Sequence, residues 1–218
     1  MPFVRSGWYL AACVGFAAAA AGSPIDDAVS LFRTRRYSEA RAALEPLAEA
    51  NPPNPAACYF LGLTLLRGGD PAALDGAAAW LEKAVRLKPS DASYLADYGD
   101  ACLSLASRRN SFVMAVRGRD ALEKAVALDP GDLATREGLV RFYGEAPFPL
   151  GDPGRARAQA AAIGARNPLR GAEALVALGR IFEKKGERPQ ARSAYAAALQ
   201  FDPGSRAAIT ALARLGPS

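Results

Sequence analysis

Apolar positions recur along this chain in a fixed motif. Five times a small residue is followed four positions on by an apolar residue, three later by another, and five later by proline. The instances are Ala40, Leu44, Leu47 and Pro52; Ala77, Leu81, Ala84 and Pro89; Gly118, Leu122, Ala125 and Pro130; Ala156, Ala160, Ile163 and Pro168; and Ala191, Tyr195, Ala198 and Pro203. Steps of three and four place side chains on one helical face. Proline lacks an amide hydrogen and disfavours helical geometry in the residue before it, so each motif predicts a helix that stops just short of its proline. Four motifs are preceded by a second apolar pattern: Leu61, Gly62 and Leu65; Tyr98, Gly99 and Cys102; Leu139, Val140 and Tyr143; Leu178, Gly179 and Phe182. Small residues there let two helices approach closely. The chain is thus all-α, a stack of about five helix pairs. Asp91 and Asp132, two residues after Pro89 and Pro130, stand where a carboxylate caps the next helix, leaving almost no linker between pairs.

The last unit, Ala172 to Ser205, carries Leu178-Gly179, Phe182, Gly186, Ala191, Tyr195, Ala198 and Pro203 over 34 residues. In this it resembles the tetratricopeptide repeat family. The resemblance implies a right-handed α-solenoid with repeats at about 22–54, 55–91, 92–132, 133–170 and 172–205, closed by a capping helix at 206–215. It also implies binding of a protein or peptide along a concave groove lined by the first helices. Matching each first helix to the family pattern puts Tyr59, Leu63, Leu66 and Arg67, then Ser93, Ala96 and Asp100, then Glu137 and Arg141, then Val176, Arg180 and Glu183 in that groove. Tyr59 and Arg180 stand out, because aromatic and arginine side chains are enriched at binding hot spots. The family's clamp for C-terminal carboxylates needs lysines and asparagines that this chain does not offer at those positions, so a heat-shock-protein tail is not the expected ligand.

Two departures from the family pattern are prominent. Successive prolines are 37, 41, 38 and 35 residues apart, which places insertions between the first and second helices of the middle units. In the third unit, Leu103 to Val116 predicts extra helical turns broken near Arg108 and Asn110. In the fourth, 146–154 forms an ordered turn or a mobile loop, with Phe148 and Leu150 set among prolines. Such apolar residues are costly in water unless they pack on the scaffold or meet a partner. Packing on the scaffold is the expectation, with both kept as candidate contacts. Asp152 followed by Pro153 predicts the next helix start. The arrangement resembles a group of bacterial exported repeat proteins with an elongated third unit.

The N-terminus predicts export. Arg5 precedes the apolar stretch Ser6 to Ala21, which contains Trp8, Tyr9, Leu10, Val14 and Phe16 and ends in alanines, the order of a secretory signal. Cleavage after Ala21 fits the small residues Ala19 and Ala21, giving a periplasmic or secreted protein. Leu10-Ala11-Ala12-Cys13 offers the alternative of lipid anchoring through Cys13. A retained membrane helix is disfavoured, since the segment falls short of the ~20 residues needed to span.

Composition narrows the chemistry. The chain has no histidine, which removes the usual general base and the commonest metal ligand. No catalytic constellation, cofactor or metal site is implied, and the chain is read as a non-enzyme. Lys and Arg number 27 against 22 acids, a formal +5, with basic residues scattered among acids. The clusters Arg33 to Arg36 and Arg108-Arg109 lack interleaved aromatics, so nucleic acid is not an expected partner. Cys58 and Cys102 are expected to be buried free thiols. Their places in the repeat differ by two helical turns, about 10 Å, and a disulfide needs Cα atoms within about 7 Å. Asp97 and Asp100 are expected on a solvated helix face. Two functions follow: a scaffold binding a partner in the groove, or an assembly factor of the cell envelope acting through self-association or the 146–154 loop.

Overall fold

Capping side chains and prolines set the helix starts. A computed structural model describes residues 22–216. The signal segment at 1–21, with its Cys13 alternative, lies outside the described residues. Those residues form α1 (Pro24–Arg33), α2 (Tyr37–Glu49), α3 (Pro55–Arg67), α4 (Leu74–Leu87), α5 (Ala92–Arg109), α6 (Phe112–Leu128), α7 (Leu133–Glu145), α8 (Pro153–Arg166), α9 (Pro168–Lys184), α10 (Arg188–Phe201) and α11 (Arg206–Leu215). Asp132 accepts from the amides of Ala134 at 2.9 Å and Thr135 at 3.2 Å, and Asp91 from that of Tyr94 at 3.2 Å, both as the sequence predicts. Asp152 likewise caps α8, with Pro153 in its first turn. Pro168, read above as a terminator, also opens α9 from its first turn, where a missing amide hydrogen leaves no bond unmade.

Each helix packs on the next along the chain, while α1 also meets α3 and α7 meets α9, so helix pairs stack in sequence order into an all-α solenoid. The motif positions form its core. Ala40, Leu44, Ala77, Leu81, Ala84, Leu122, Ala156, Ala160, Ile163, Ala191 and Ala198 are wholly buried, and Tyr195 nearly so. Leu47 is the exception: it is half-buried, and Ala48 beside it takes the buried place. The first pair lacks the paired apolar signature in its first helix. That helix is the short α1, which buries only Ala28 and Val29.

The small residues work as spacers whose absence of side chain sets helix separation. A Cβ on Gly99 would lie 3.0 Å from the Gly118 carbonyl oxygen, and one on Gly118 would lie 2.9 Å from that of Gly99. The α5 and α6 backbones therefore touch directly. Gly171 repeats this against Gly164, whose Cα would be 2.2 Å from an added Cβ.

The elongated third unit is the pair of α5, 18 residues, and α6, 17 residues. It breaks at Asn110, whose left-handed φ of 49° ends α5 near the predicted place. Asparagine tolerates this conformation better than most residues. The 146–154 insertion is an ordered turn. The Pro147 carbonyl accepts from the amides of Leu150 at 2.9 Å and Gly151 at 3.0 Å, and Asp152 N–H donates to the Tyr143 carbonyl at 2.9 Å. This turn points its two apolar residues in opposite senses. Leu150 is buried in the core, as the packing expectation has it, and only its remaining edge lines the hollow beside the turn. Phe148 is 94% exposed, so the packing expected for it does not occur. Cys58 and Cys102 are buried free thiols, as expected. No helix among the described residues is long and apolar enough to cross a membrane.

The backbone contact makes a sharp contrast between two glycines. Gly118→Ala forces a methyl against a carbonyl that cannot move aside and is expected to cost about 1–3 kcal/mol in urea unfolding. Gly76→Ala, exposed in α4 with its nearest neighbour Leu65 Cδ1 at 3.7 Å, is expected to gain up to about 1 kcal/mol from helix propensity.

Candidate functional site

The first helices of successive pairs, α1, α3, α5, α7 and α9, line one face, with side-chain contacts joining α1 to α3, α3 to α5 and α7 to α9, and α11 takes the next place after α10. Phe32 of α1 meets Phe60 of α3 edge to face, with ring centroids 5.3 Å apart. Tyr59 of α3 stacks on Tyr94 of α5 at 4.3 Å with the rings 17° from parallel, and its hydroxyl donates to the Asp97 carboxylate. Arg170 of α9 donates to Glu137 of α7 at 2.7 Å, and Arg214 of α11 to Glu183 of α9 at 2.6 Å and 2.8 Å.

Charges on this face are arranged across helices. Burial raises the Asp97 carboxyl above its ordinary range, against the lowering influence of the Tyr59 hydrogen bond and of Arg67. Asp100 is raised in the same way, with Asp97 and Asp132 adding to burial and Arg141 opposing it. Its side chain is open to solvent, but surrounding protein on the hollow face strips part of its water. The solvated face expected for Asp97 and Asp100 thus holds for Asp100, whereas Asp97 is half-buried and hydrogen-bonded by Tyr59. Tyr59 is pushed far up, by burial first and the Asp97 interaction second, so it stays a protonated donor.

Two hollows open here. One, of about 810 Å³, lies where both insertions meet: Leu103 and Ser107 from the end of α5, Phe112 from the start of α6, Arg141 and Glu145 from α7, and Pro147 of the loop. The other, of about 770 Å³, lies between α9 and α11 and is lined by Arg180, Lys184, Arg206 and Arg214, with Thr210 and Tyr195.

The structure sorts the sequence candidates. Arg67, Asp100, Arg141 and Arg180 are exposed on this face; Arg67 sits 5.6 Å over the Phe32 ring. Glu137 and Glu183 are partly covered, and each is held in an ion pair. Tyr59 is half-buried in its stack and hydrogen bond, which makes it a strut between α3 and α5. Leu63 and Val176 are each only 6% exposed; they face the core, and Leu63 leaves the candidate set. The sequence reading missed Lys184, one turn beyond Arg180, and Arg206, Thr210 and Arg214 of the capping helix. It also missed Phe112, 57% exposed at the rim of the first hollow.

Because the native state holds the Asp97 proton more tightly than the unfolded chain, ionisation costs stability as pH rises through and past the carboxylate range. In Asp97→Asn the amide oxygen still accepts from Tyr59. This variant is expected to be more stable than wild type at pH 7 in urea unfolding, with the advantage gone by about pH 3.

Comparison with known proteins places this geometry. No curated protein sequence matches the chain. Among solved structures, YrrB, described as a TPR protein with an unusual peptide-binding site, is 20% identical, with 86% of this chain and 89% of that chain covered and a TM-score of 0.66. The MamA protein is 21% identical over 83% of this chain and 90% of that chain, with a TM-score of 0.64. The O-GlcNAc transferase of Thermobaculum terrenum is 24% identical over 67% of this chain but only 26% of that chain, with a TM-score of 0.55. At these identities the likeness is one of fold. The tetratricopeptide repeat profile matches residues 26–92 and 149–206, more than half the chain, and the unmatched span between them holds the elongated α5–α6 pair. With the helix pairs, the small-residue seams and this match in agreement, the chain belongs to the tetratricopeptide repeat family.

Proposed function

We propose that this protein is a non-catalytic scaffold that holds an extended segment of another protein along the face of α3, α5, α7, α9 and α11, outside the cytoplasm. The observation that carries the reading is the pair of hollows on one continuous face, each combining an exposed arginine, Arg141 or Arg180, with apolar or aromatic lining. Such pockets give a peptide side chain a desolvated seat and a charge-assisted hydrogen bond together. A structure of similar fold is described as having a peptide-binding site, which supports the class of ligand. Export rests on the order of Arg5, apolar stretch and terminal alanines in residues 1–21. With no histidine in the chain, the face has no general base of the usual kind.

The reading is tested by selecting peptides from a random phage-displayed library against the full chain and measuring their affinity for Phe112→Ala and Arg141→Ala by calorimetry. Both side chains line the hollow made by the insertions, and each substitution is expected to weaken binding about tenfold. Peptides that bind both variants as tightly as wild type would count against this face.

The second reading, assembly through the 146–154 loop, is favoured by Phe148, which stands 94% exposed on a turn with internal hydrogen bonds. It predicts a concentration-dependent oligomer in sedimentation equilibrium that reverts to monomer in Phe148→Ser. A monomer at every concentration contradicts it.

A further inference from the structure

We infer that the hollow between α9 and α11 is an anion pocket that receives an acidic side chain, Asp or Glu, of the bound segment. The assignment rests on peptide binding along the first-helix face and names what one end of that face reads.

The charge here is out of balance. Elsewhere on the face acids and bases offset each other: Glu137 pairs with Arg170, Asp97 faces Arg67, and Asp100 faces Arg141. The α9–α11 hollow gathers Arg180, Lys184, Arg206 and Arg214 around the single carboxylate of Glu183. Both oxygens of Glu183 are taken by Arg214. Among the described residues Arg180, Lys184 and Arg206 make no ion pair.

A second, independent feature is the Tyr195 hydroxyl. Tyr195 is 1% exposed, and its hydroxyl is the buried side-chain polar atom that finds no hydrogen-bond partner among the described residues. Buried polar groups are rarely left so, and one that is asks for an explanation. The ring runs beneath Gly179, where a Cβ would come within 2.7 Å of its Cζ, and its far end reaches the hollow that Arg180 borders. Burial, with the nearby Glu183 carboxylate adding, pushes its pKa up to about 12, so it is a donor at any physiological pH. The Glu183 carboxylate lies beside the hydroxyl and adds to this shift, with Arg180 and Arg214 opposing it, but it falls outside hydrogen-bonding geometry with the hydroxyl. The hollow sets four cationic side chains against one carboxylate, and a second carboxylate would supply the acceptor that the Tyr195 hydroxyl is without.

The place suits a side-chain carboxylate. Ser205, before α11, provides no side-chain cap, so the first-turn amides beside Arg206 and Ala207 add the favourable end of a helix dipole. About 770 Å³ admits a side chain with its flanking backbone. A single carboxylate can take a guanidinium fork and the tyrosine hydroxyl together. A doubly charged phosphate would place its second charge near Glu183. This pocket differs from the family's clamp for chain termini, since its donors come from α9, α10 and the capping helix.

The test is a ¹⁵N chemical-shift titration of the full chain with three probes: an acetylated and amidated hexapeptide with two central glutamates, the same peptide with glutamines, and inorganic phosphate. Saturable shifts at Arg206, Ala207 and Thr210 are expected with the acidic peptide and at least about tenfold weaker binding with the glutamine peptide. Tyr195→Phe removes only the unpartnered hydroxyl, keeps the ring against Gly179, and is expected to leave the melting temperature unreduced while weakening the acidic peptide about tenfold. Arg180→Gln and Arg206→Gln are expected to weaken it similarly. Equal binding of the two peptides, unchanged binding in Tyr195→Phe, or phosphate shifting these amides where the acidic peptide does not, each overturns the assignment. If shifts appear on α3 to α7 but not in this hollow, the pocket falls while peptide binding on the face stands; no shift anywhere contradicts both.

Discussion

The architecture depends on how closely two helix backbones approach when no side chain separates them. At Gly99 and Gly118 the carbonyl of each helix sits against the α-carbon of the other, and at Gly171 the Gly164 backbone comes as near, joining one pair to the next. Elsewhere the spacer is one-sided: Leu81 fills the space over Gly62, and the Tyr195 ring that over Gly179. A fixed separation explains why an interior built so largely of alanine can close. Ala40, Ala77, Ala156, Ala160 and Ala191 are wholly buried although each fills little volume, because the helices around them are already near. Packing then needs few large aromatic residues, Tyr195 and Phe182 being the largest wholly buried side chains, consistent with an aromatic content of only 8%.

Close helix approach of this kind accompanies the alignment of the first helices along one face. Gly62, Gly99, Gly118 and Gly179 bring the two helices of a pair close, and residues of the first helices become neighbours across units. Ion pairs such as Glu137–Arg170 and Glu183–Arg214 join them, but exposed pairs of this kind contribute only about 0–1 kcal/mol each. Stability resides in the seams, which leaves the residues of the face free to vary. The two insertions use that freedom. By lengthening α5 and α6 and adding the turn after α7, they build walls around the hollow at Arg141 without disturbing the stack, and Leu150 plugs the turn onto the core.

Much of the fold was legible in the sequence because its cause is local. Offsets of three and four with a terminal proline report a helix face and its end, and Asp91, Asp132 and Asp152 report caps through bonds only two or three residues long. The first helix of the first pair, α1, showed no signature because it is short and buries little. The site was less legible. Family positions say which way a residue starts from its helix but not what neighbours arrive over it. Leu63 and Val176 are covered by adjoining helices, and Tyr59 is consumed by Tyr94 and Asp97 from the next unit. Phe148 and Leu150 are two residues apart in one turn yet end with opposite exposures, which only the path of the turn decides. The hollow between α9 and α11 could not be read from a repeat pattern, since one of its walls is the capping helix.

The central claim is that a partner segment lies along the face of the first helices. The most direct measurement is a map of paramagnetic relaxation on the ¹⁵N-labelled full chain from a spin label at one end and then the other of a library-selected peptide. The account predicts broadening that moves along α3, α5, α7, α9 and α11 as the label changes ends. Broadening confined to α2, α4, α8 and α10, or to the turn around Phe148, would contradict it.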